Sequence, residues 1–376
     1  MTESENEKVV EMISVSKDVL TDYGCRVLEA AGVPKDEAVF VTECLVDNDL
    51  KGYTTHGVLR IPWYVPGFQK GDTQVFGKPG VKIKILRETP AVTIVDGCGG
   101  IGFTVAKQAM ELTIDKAKRV GMATTGCQNT GHIGRVGMWA EMALEHDMIG
   151  VALQGGATFT TPWGGIERKL PPNPISVAIP TGHGSPFVMD ICIAPSSAGK
   201  MYSLAQSGEE VPPGWLIDNE GNPTQDPNVW VRGEGAMLPL GQAGLGYKGY
   251  ALSMVLSVLS GPLIGSYDFE RHRPTYGGIF LGAIDIAAFT PIDEFKKSMD
   301  DMVADIKSSK LAKGFTEILI PGEGARAREE QALKSGVPLH VRGWGWEMMM
   351  ETAKGLGVDT SVYKVEDGGA RISLKR

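Results

Sequence analysis

Two histidines stand in glycine-rich, loop-like segments: His56 in Thr54-Thr55-His56-Gly57 and His132 in Asn129-Thr130-Gly131-His132-Ile133-Gly134. A histidine titrates near neutral pH, so it can give up and recover a proton as a carbonyl and an alcohol interconvert. Adjacent glycines let a substrate approach the backbone closely. Hydrogen-bonded structural histidines fit the same segments equally well. Metal ligation by the pair lacks a third ligand at a familiar spacing. Arg60 follows His56 by four positions and Tyr64 follows Arg60 by four, which on a helix puts all three on one face. A guanidinium there can hold a carboxylate through two parallel hydrogen bonds, as a 2-oxo acid requires. A solvated arginine and a core tyrosine match the spacing as well.

Two further segments could meet a phosphate. Gly244-Leu245-Gly246-Tyr247-Lys248-Gly249-Tyr250 precedes a strongly apolar stretch, and free amides at a helix start beside Lys248 suit a pyrophosphate. A flexible loop with an exposed lysine is the alternative. Gly97-Cys98-Gly99-Gly100-Ile101-Gly102 satisfies GxGxxG between a strand and a helix. No strand-end acid follows about twenty residues on, because Asp115 falls inside the helix. With 49 glycines in the chain, a chance match is easy, and a plain strand-to-helix turn is the better reading. The segment at Gly241 to Lys248 lacks the GK[ST] ending of a nucleotide-triphosphate loop.

The elements that must position these residues follow from periodicity. Ser16 to Ala31 carries Val19, Leu20, Tyr23, Val27 and Leu28 on one helical face, and Gly32 can close it. Pro34 opens a second helix with Ala38, Val41, Leu45 and Leu50 on its stripe. From Val81 the rhythm becomes that of strands: Ile83, Ile85, then Ala91 to Val95. A glycine turn, a helix over Phe103–Val120, a strand at Met122–Thr125, a helix over Val136–His146 and a strand at Ile149–Leu153 follow. Strands alternating with helices predict an α/β protein. Helices over Arg326–Ser335 and Trp344–Leu356 end the chain, so residues 1–80 and 325–376 are expected to form one helical unit beside a mixed α/β unit over 81–324.

Composition narrows the class. At 376 residues and 42% hydrophobic, the chain can bury a sizeable core. A net charge of −8 gives no attraction to nucleic acid or an anionic membrane. The apolar stretch Tyr250 to Ile264 is shorter than the roughly 20 residues of a membrane span. The polar, acidic start Met1 to Glu7 is wrong for a secretory signal. Five scattered cysteines without CxxC spacing point to reduced thiols in the cytoplasm and to no zinc site.

Taken in order, these segments resemble the malate/L-lactate dehydrogenase family, which includes ureidoglycolate, sulfolactate and diketogulonate dehydrogenases and piperideine-carboxylate reductase. The family's SHGxxRxxxY reads Thr55-His56-Gly57-Val58-Leu59-Arg60-Ile61-Pro62-Trp63-Tyr64, and NSNHFG corresponds to Gln128 to Gly134. GTNP reads Pro171-Pro172-Asn173-Pro174, and FVLDMATS reads Phe187-Val188-Met189-Asp190-Ile191-Cys192-Ile193-Ala194. GHKGYG reads Gly246 to Ala251, and the late PGE is Pro321-Gly322-Glu323. The resemblance covers about residues 10 to 358.

The resemblance implies a non-Rossmann, mixed α/β cofactor domain of the sulfolactate-dehydrogenase type, with a helical unit built from both chain ends. It also implies a homodimer whose active site lies between domains or subunits. The expected cofactor is NAD, with NADP as the alternative. The expected substrate is a small 2-oxo or 2-hydroxy acid, or else a cyclic imine bearing a carboxylate; a homologue that binds dinucleotide without turnover is the rival from another class. His132 first and His56 second are the implied proton donors, Arg60 the carboxylate anchor, and Thr55 and Tyr64 their companions. Asp190, Ile191, Cys192, Lys248, Gly249, Asn173, Gly156, Gly322 and Glu323 are the implied cofactor contacts. The chain departs from the pattern at Thr55 for serine, Tyr247 for histidine, Leu256 for glutamate, Pro172 for threonine and Ile193-Ala194 for two hydroxyl residues. Those changes alter the polar lining, so the identity of the substrate is the property most open to change.

Overall fold

The apolar stripes at the start of the chain become two packed helices. In a computed structural model, which describes residues 12–70, 77–268, 273–274, 278–366 and 371–375, β1 (Met12–Val15) leads into α1 (Lys17–Ala30). Ser16 caps α1 by accepting from the Val19 amide at 3.4 Å, and Val19, Leu20, Tyr23, Val27 and Leu28 are wholly buried. Helix α2 (Lys35–Leu50) lies so close that a Cβ on Gly24 would sit 2.5 Å from the Thr42 methyl.

After α2 the chain makes two short 3-10 turns, Thr54–His56 and Val58–Arg60, before α3 (Ile61–Lys70). The single helical face expected through His56, Arg60 and Tyr64 is therefore broken at Gly57. The cause is Asp49. Its Oδ2 accepts from the Val58 amide at 2.8 Å, diverting a donor that a continuous helix would have turned onto residue 54. A Cβ on Gly57 would lie 1.8 Å from the same carboxylate, so only glycine passes there.

The central part of the chain runs β2 (Lys84–Glu88), β3 (Val92–Gly100), α4 (Gly102–Val120), β4 (Met122–Thr130), α5 (Gly137–Glu141), β5 (Met148–Gln154), β6 (Ile175–Ile179) and β7 (Phe187–Ile191). It continues through α6 (Ala198–Ser207), β8 (Leu216–Asp218), β9 (Pro223–Thr224), α7 (Pro227–Val231), β10 (Gly235–Met237) and α8 (Gln242–Leu259). Short β11 (Tyr267–Asp268) and β12 (Arg273–Pro274) precede β13 (Ile279–Asp285). The main sheet has the order β2-β3-β4-β13-β5-β6-β7 among the described residues. Only β3 and β4 are parallel, joined over α4; the other neighbours are antiparallel. The fold is mixed α/β, without the run of parallel strands whose carboxyl ends form a dinucleotide crevice.

Two glycine segments differ from expectation. Gly97 to Gly100 is no turn but the end of β3, bulged where Cys98 and Gly99 take positive φ of 53° and 68°. Gly102 then starts α4 against the next loop, since a Cβ there would lie 2.2 Å from the His132 carbonyl. Residues 244–250 do not precede a helix but lie inside α8, so their amides are not a free helix start. A Cβ on Gly249 would meet the Leu240 carbonyl at 2.1 Å, which explains that glycine by packing.

The chain closes with α9 (Ile292–Lys307), α10 (Glu323–Ser335), β14 (Val337–His340), α11 (Trp346–Gly355), β15 (Tyr363–Glu366) and β16 (Arg371–Leu374). Strands β14, β1, β16 and β15 form a second sheet that ties the two chain ends together, where helices alone were expected. Buried apolar side chains of α1, α2, α4, the main sheet and α11 join in one core.

Asp49 gives this region a pH signature. It is 1% exposed, its Oδ1 meets no donor among the described residues, and burial pushes its carboxyl well above the usual range despite the Val58 amide. A raised folded pKa means stability that is complete below the unfolded value near 4 and is lost as pH climbs towards the folded one. Asp49→Asn keeps the acceptor for Val58 and cannot ionise. The variant is expected to unfold at higher temperature than the wild type at pH 8, with the gain shrinking to nothing near pH 4. Each pH unit over which the native carboxyl stays protonated adds about 1.4 kcal/mol. A difference that is constant across that range would show that Asp49 does not change ionisation on folding.

Candidate active site

The loop after β4 presents His132 in one orientation. Gly134, at φ +70°, turns its N–H back to donate to His132 Nδ1 at 3.2 Å, and the Tyr64 hydroxyl reaches the same nitrogen at 2.8 Å. Tyr64 is 2% exposed, packed against Phe68 and Phe103. Its sequence spacing pointed to the cavity, yet it lies behind His132 as the support of that ring.

His56 faces His132, with ring centroids 5.9 Å apart and planes within 20°. Its Nδ1 is 3.1 Å from Thr55 Oγ1, and its carbonyl accepts from Asn48 Nδ2 at 3.0 Å. Burial, then Arg60 and Arg135, push His56 down to about 3. Burial, then Arg60 and His56, take His132 well below its ordinary value. Arg60 is 5% exposed and lies between the indoles of Trp63 and Trp344, at 4.8 and 5.0 Å from the ring centroids. Each such stack contributes on the order of 0.5–2 kcal/mol and holds the guanidinium plane fixed. Arg60 Nε donates to the Thr55 carbonyl at 2.5 Å.

These groups line one cavity of about 500 Å³, a volume suited to a small ligand. Thr55, His56, Arg60, His132, Gly156, Asp190, Ile191 and Cys192 all contribute to its wall. Gly155 and Gly156 present bare backbone, with Pro172, Pro174 and Ile191 beside them. That combination fits a flat aromatic amide, so the residues present suit a nicotinamide. A larger cleft of about 620 Å³ between α2, α4 and α5 contains neither Arg60 nor either of these histidines, and its charged rim converges on no single point.

Arg135 is the functional neighbour that sequence reasoning missed. It is 5% exposed and bonds Glu141 at 2.8 Å, Asp190 at 3.2 Å, Asp47 at 3.5 Å and the Asn48 side chain at 3.2 Å, with the Tyr53 ring at 5.1 Å. Burial works against its charge, and Glu141, Asp190 and Asp47 more than compensate. Lys51 adds a second cation, 3.0 Å from both Asp47 and Glu141. Asp190 thus spends one oxygen on Arg135 and on the Gly137 amide at 3.2 Å, and burial followed by Glu141 raises its carboxyl. The position of Arg135, three residues after His132, was the available signal. Trp344 had none, since the cavity is far from it in sequence.

Besides Tyr64, five residues expected to contact the cofactor lie outside the cavity wall. Asn173, at φ 44°, donates to Ser253 and Ser257 on α8 at 2.8 and 2.9 Å. Lys248 is exposed on α8, and Gly249 packs on Leu240. Gly322, at φ +105°, turns the chain beside β7, where the Val188 amide donates to the Pro321 carbonyl at 2.9 Å. Glu323 pairs with Lys307 at 2.6 Å and accepts from the Ile320 amide at 2.9 Å.

Comparison with known proteins identifies the family and the fold. The family model described as malate/L-lactate dehydrogenase matches residues 15–345. A malate dehydrogenase of Pyrococcus horikoshii is 37% identical over 92% of this chain and 96% of its own length. An L-sulfolactate dehydrogenase of Methanocaldococcus jannaschii is 37% identical over 90% of this chain and 95% of its own. The solved structure of the Pyrococcus horikoshii malate dehydrogenase superposes with a TM-score of 0.81 at 35% identity, over 96% of this chain and 99% of that one. The chain belongs to the malate/L-lactate dehydrogenase family.

Proposed function

We propose that this chain is an NAD(P)-dependent oxidoreductase that moves hydride between a nicotinamide and carbon 2 of a small 2-oxo or 2-hydroxy acid, of malate-, lactate- or sulfolactate-like size. The observation that carries the reading is the convergence of Arg60, His56 and His132 on one cavity beside bare glycine backbone. When bound, the reduced nicotinamide supplies the hydride. Arg60, clamped by two indoles, holds the substrate carboxylate and fixes which face of the carbonyl is presented. The histidine pair supplies the proton to the developing alkoxide. Gly156, Asp190, Ile191 and Cys192 wall the cofactor side of the cavity.

We also place the protein in the cytoplasm as a homodimer. All five cysteines are free thiols, and among the described residues no helix is long and apolar enough to cross a membrane. Helix α8 exposes Leu252, Met254, Val255 and Val258, each at least 40% accessible, an apolar face that a second copy would cover.

Three measurements test these readings. Oxidation of NADH and of NADPH, followed at 340 nm against pyruvate, oxaloacetate and sulfopyruvate, is expected to show turnover; silence with every 2-oxo acid would overturn the reading. Arg60→Lys is expected to raise KM for the acid about 10²-fold, because a lysine cannot make the paired contact, with cofactor affinity unchanged. Val255→Glu is expected to convert a dimer to monomer in light scattering, and a monomeric wild type would refute the assembly.

A further inference from the structure

Two donors meet at one nitrogen of His132. The Gly134 amide donates to Nδ1 at 3.2 Å and the Tyr64 hydroxyl lies 2.8 Å from it. A backbone N–H can only donate, so Nδ1 presents a lone pair and the neutral ring carries its proton on Nε2. Protonating Nδ1 would set N–H against N–H and strip the buried Gly134 amide of its acceptor. With Nδ1 turned to Gly134 and Tyr64, Nε2 is the nitrogen left for the cavity that His132 lines.

His56 is held differently. Its Nδ1 faces the Thr55 hydroxyl at 3.1 Å, a group that both donates and accepts, so either tautomer and the imidazolium keep that bond. With the rings stacked at 5.9 Å, two imidazolium ions would repel, so one ring stays neutral. We infer that His132 works throughout as a neutral, fixed Nε2–H donor to the substrate oxygen, that His56 is the residue that gives and takes the proton, and that Tyr64 and Gly134 position His132. This rests on the reading of the pair as the proton-handling site, and it exchanges the order in which the sequence ranked the two histidines.

The step balances. As hydride reaches carbon 2 of the 2-oxo acid, the carbonyl π pair moves onto oxygen, where the His132 N–H stabilises the growing charge. That oxygen takes the proton of the His56 imidazolium, which leaves a neutral imidazole and a 2-hydroxy acid. Among the described residues, the charged or titratable groups around the pair are Arg60 at the end of the second 3-10 turn, Arg135 before α5, Asp190 at the end of β7, Cys192, Tyr53, Tyr64 and Tyr202 on α6. Arg60 and Arg135 both disfavour a charged His56. A substrate carboxylate on Arg60 cancels part of that field, so His56 takes up its proton when the acid binds.

The test combines spectra with kinetics. Nitrogen-15 imidazole spectra of the full chain from pH 5.5 to 8.5, assigned with His132→Gln and His56→Gln, are expected to show His132 as the Nε2–H tautomer throughout. In kcat/KM for the 2-oxo acid, His56→Gln is expected to lose about 10²–10⁴-fold and with it the fall at high pH. His132→Gln, whose amide can still donate, is expected to lose less rate and keep that fall, and Tyr64→Phe to lower kcat without moving it. An Nδ1–H or titrating His132, or a high-pH fall lost in His132→Gln and kept in His56→Gln, would overturn the assignment. A wild type silent with every 2-oxo acid overturns the parent reading instead, and the spectra still decide the tautomer.

Discussion

The site depends on one buried side chain, Asn48, which is wholly inaccessible and faces two ways. Its amide nitrogen donates to the His56 carbonyl and its oxygen accepts from Arg135 Nε. The first bond fixes the loop that follows α2; the second fixes the loop that follows β4. Each loop carries one histidine, so the 5.9 Å stacking of the rings rests on a residue whose bonds go to the loops that carry them. Arg135 cannot move to relax this arrangement. Taking one partner from a buried charge costs about 3–5 kcal/mol, and Arg135 is shared among three carboxylates on α2, α5 and β7. The guanidinium therefore works as a strut between the helix under His56 and the strand end that carries Asp190.

Glycine makes such closeness sterically feasible. Gly57 passes over the Asp49 carboxylate, Gly102 passes under the His132 carbonyl, and a Cβ on Gly134 would lie 2.6 Å from the Phe103 ring. Each removes a Cβ at a point where two backbones or a backbone and a side chain must touch. The GxGxxG match is explained on the same terms. Its glycines shape the bulged end of β3 and the start of α4 so that the His132 loop can lie on them, which is a packing demand that happens to share a spacing with phosphate binding.

Much of this was legible in the sequence, and for identifiable reasons. Helices α1, α2 and α4 were readable because each is long, 14, 16 and 19 residues, and so shows its pattern over several turns. His56, Arg60 and His132 were readable as candidates because histidine and arginine beside glycine can do chemistry, but structural histidines and a solvated arginine fit the same spacing, and the ordered resemblance to a family, which also brought in Thr55, favoured the chemistry. What stayed hidden depended on partners distant in the chain. β1 has four residues and no periodicity to speak of; it is a strand only because β14 and β16 lie beside it. The break at Gly57 requires knowing that Asp49 lies beneath it. Trp344 reaches Arg60 from the far end of the chain, and Arg135 stands out only through the three carboxylates that close around it. The start of α8 was misread because glycines at Gly244, Gly246 and Gly249 suggest a loop, while the packing of Gly249 on Leu240 makes them helical.

Charge balance then connects architecture to chemistry. Arg60 and Arg135 face two histidines in a cavity where burial already disfavours cations, and among the described residues the one carboxylate on the wall, Asp190, is committed to Arg135. The protein alone thus holds both imidazoles uncharged. An acid that places its carboxylate on Arg60 brings the missing negative charge and with it the condition for one imidazole to be protonated. Binding and proton loading are then coupled through a single electrostatic interaction, and the coupling is selective: a neutral ketone of the same shape would fill the cavity without arming it. On the proposed function, discrimination for 2-oxo acids would come in this way from the same guanidinium that orients them, which the indoles of Trp63 and Trp344 help keep out of water.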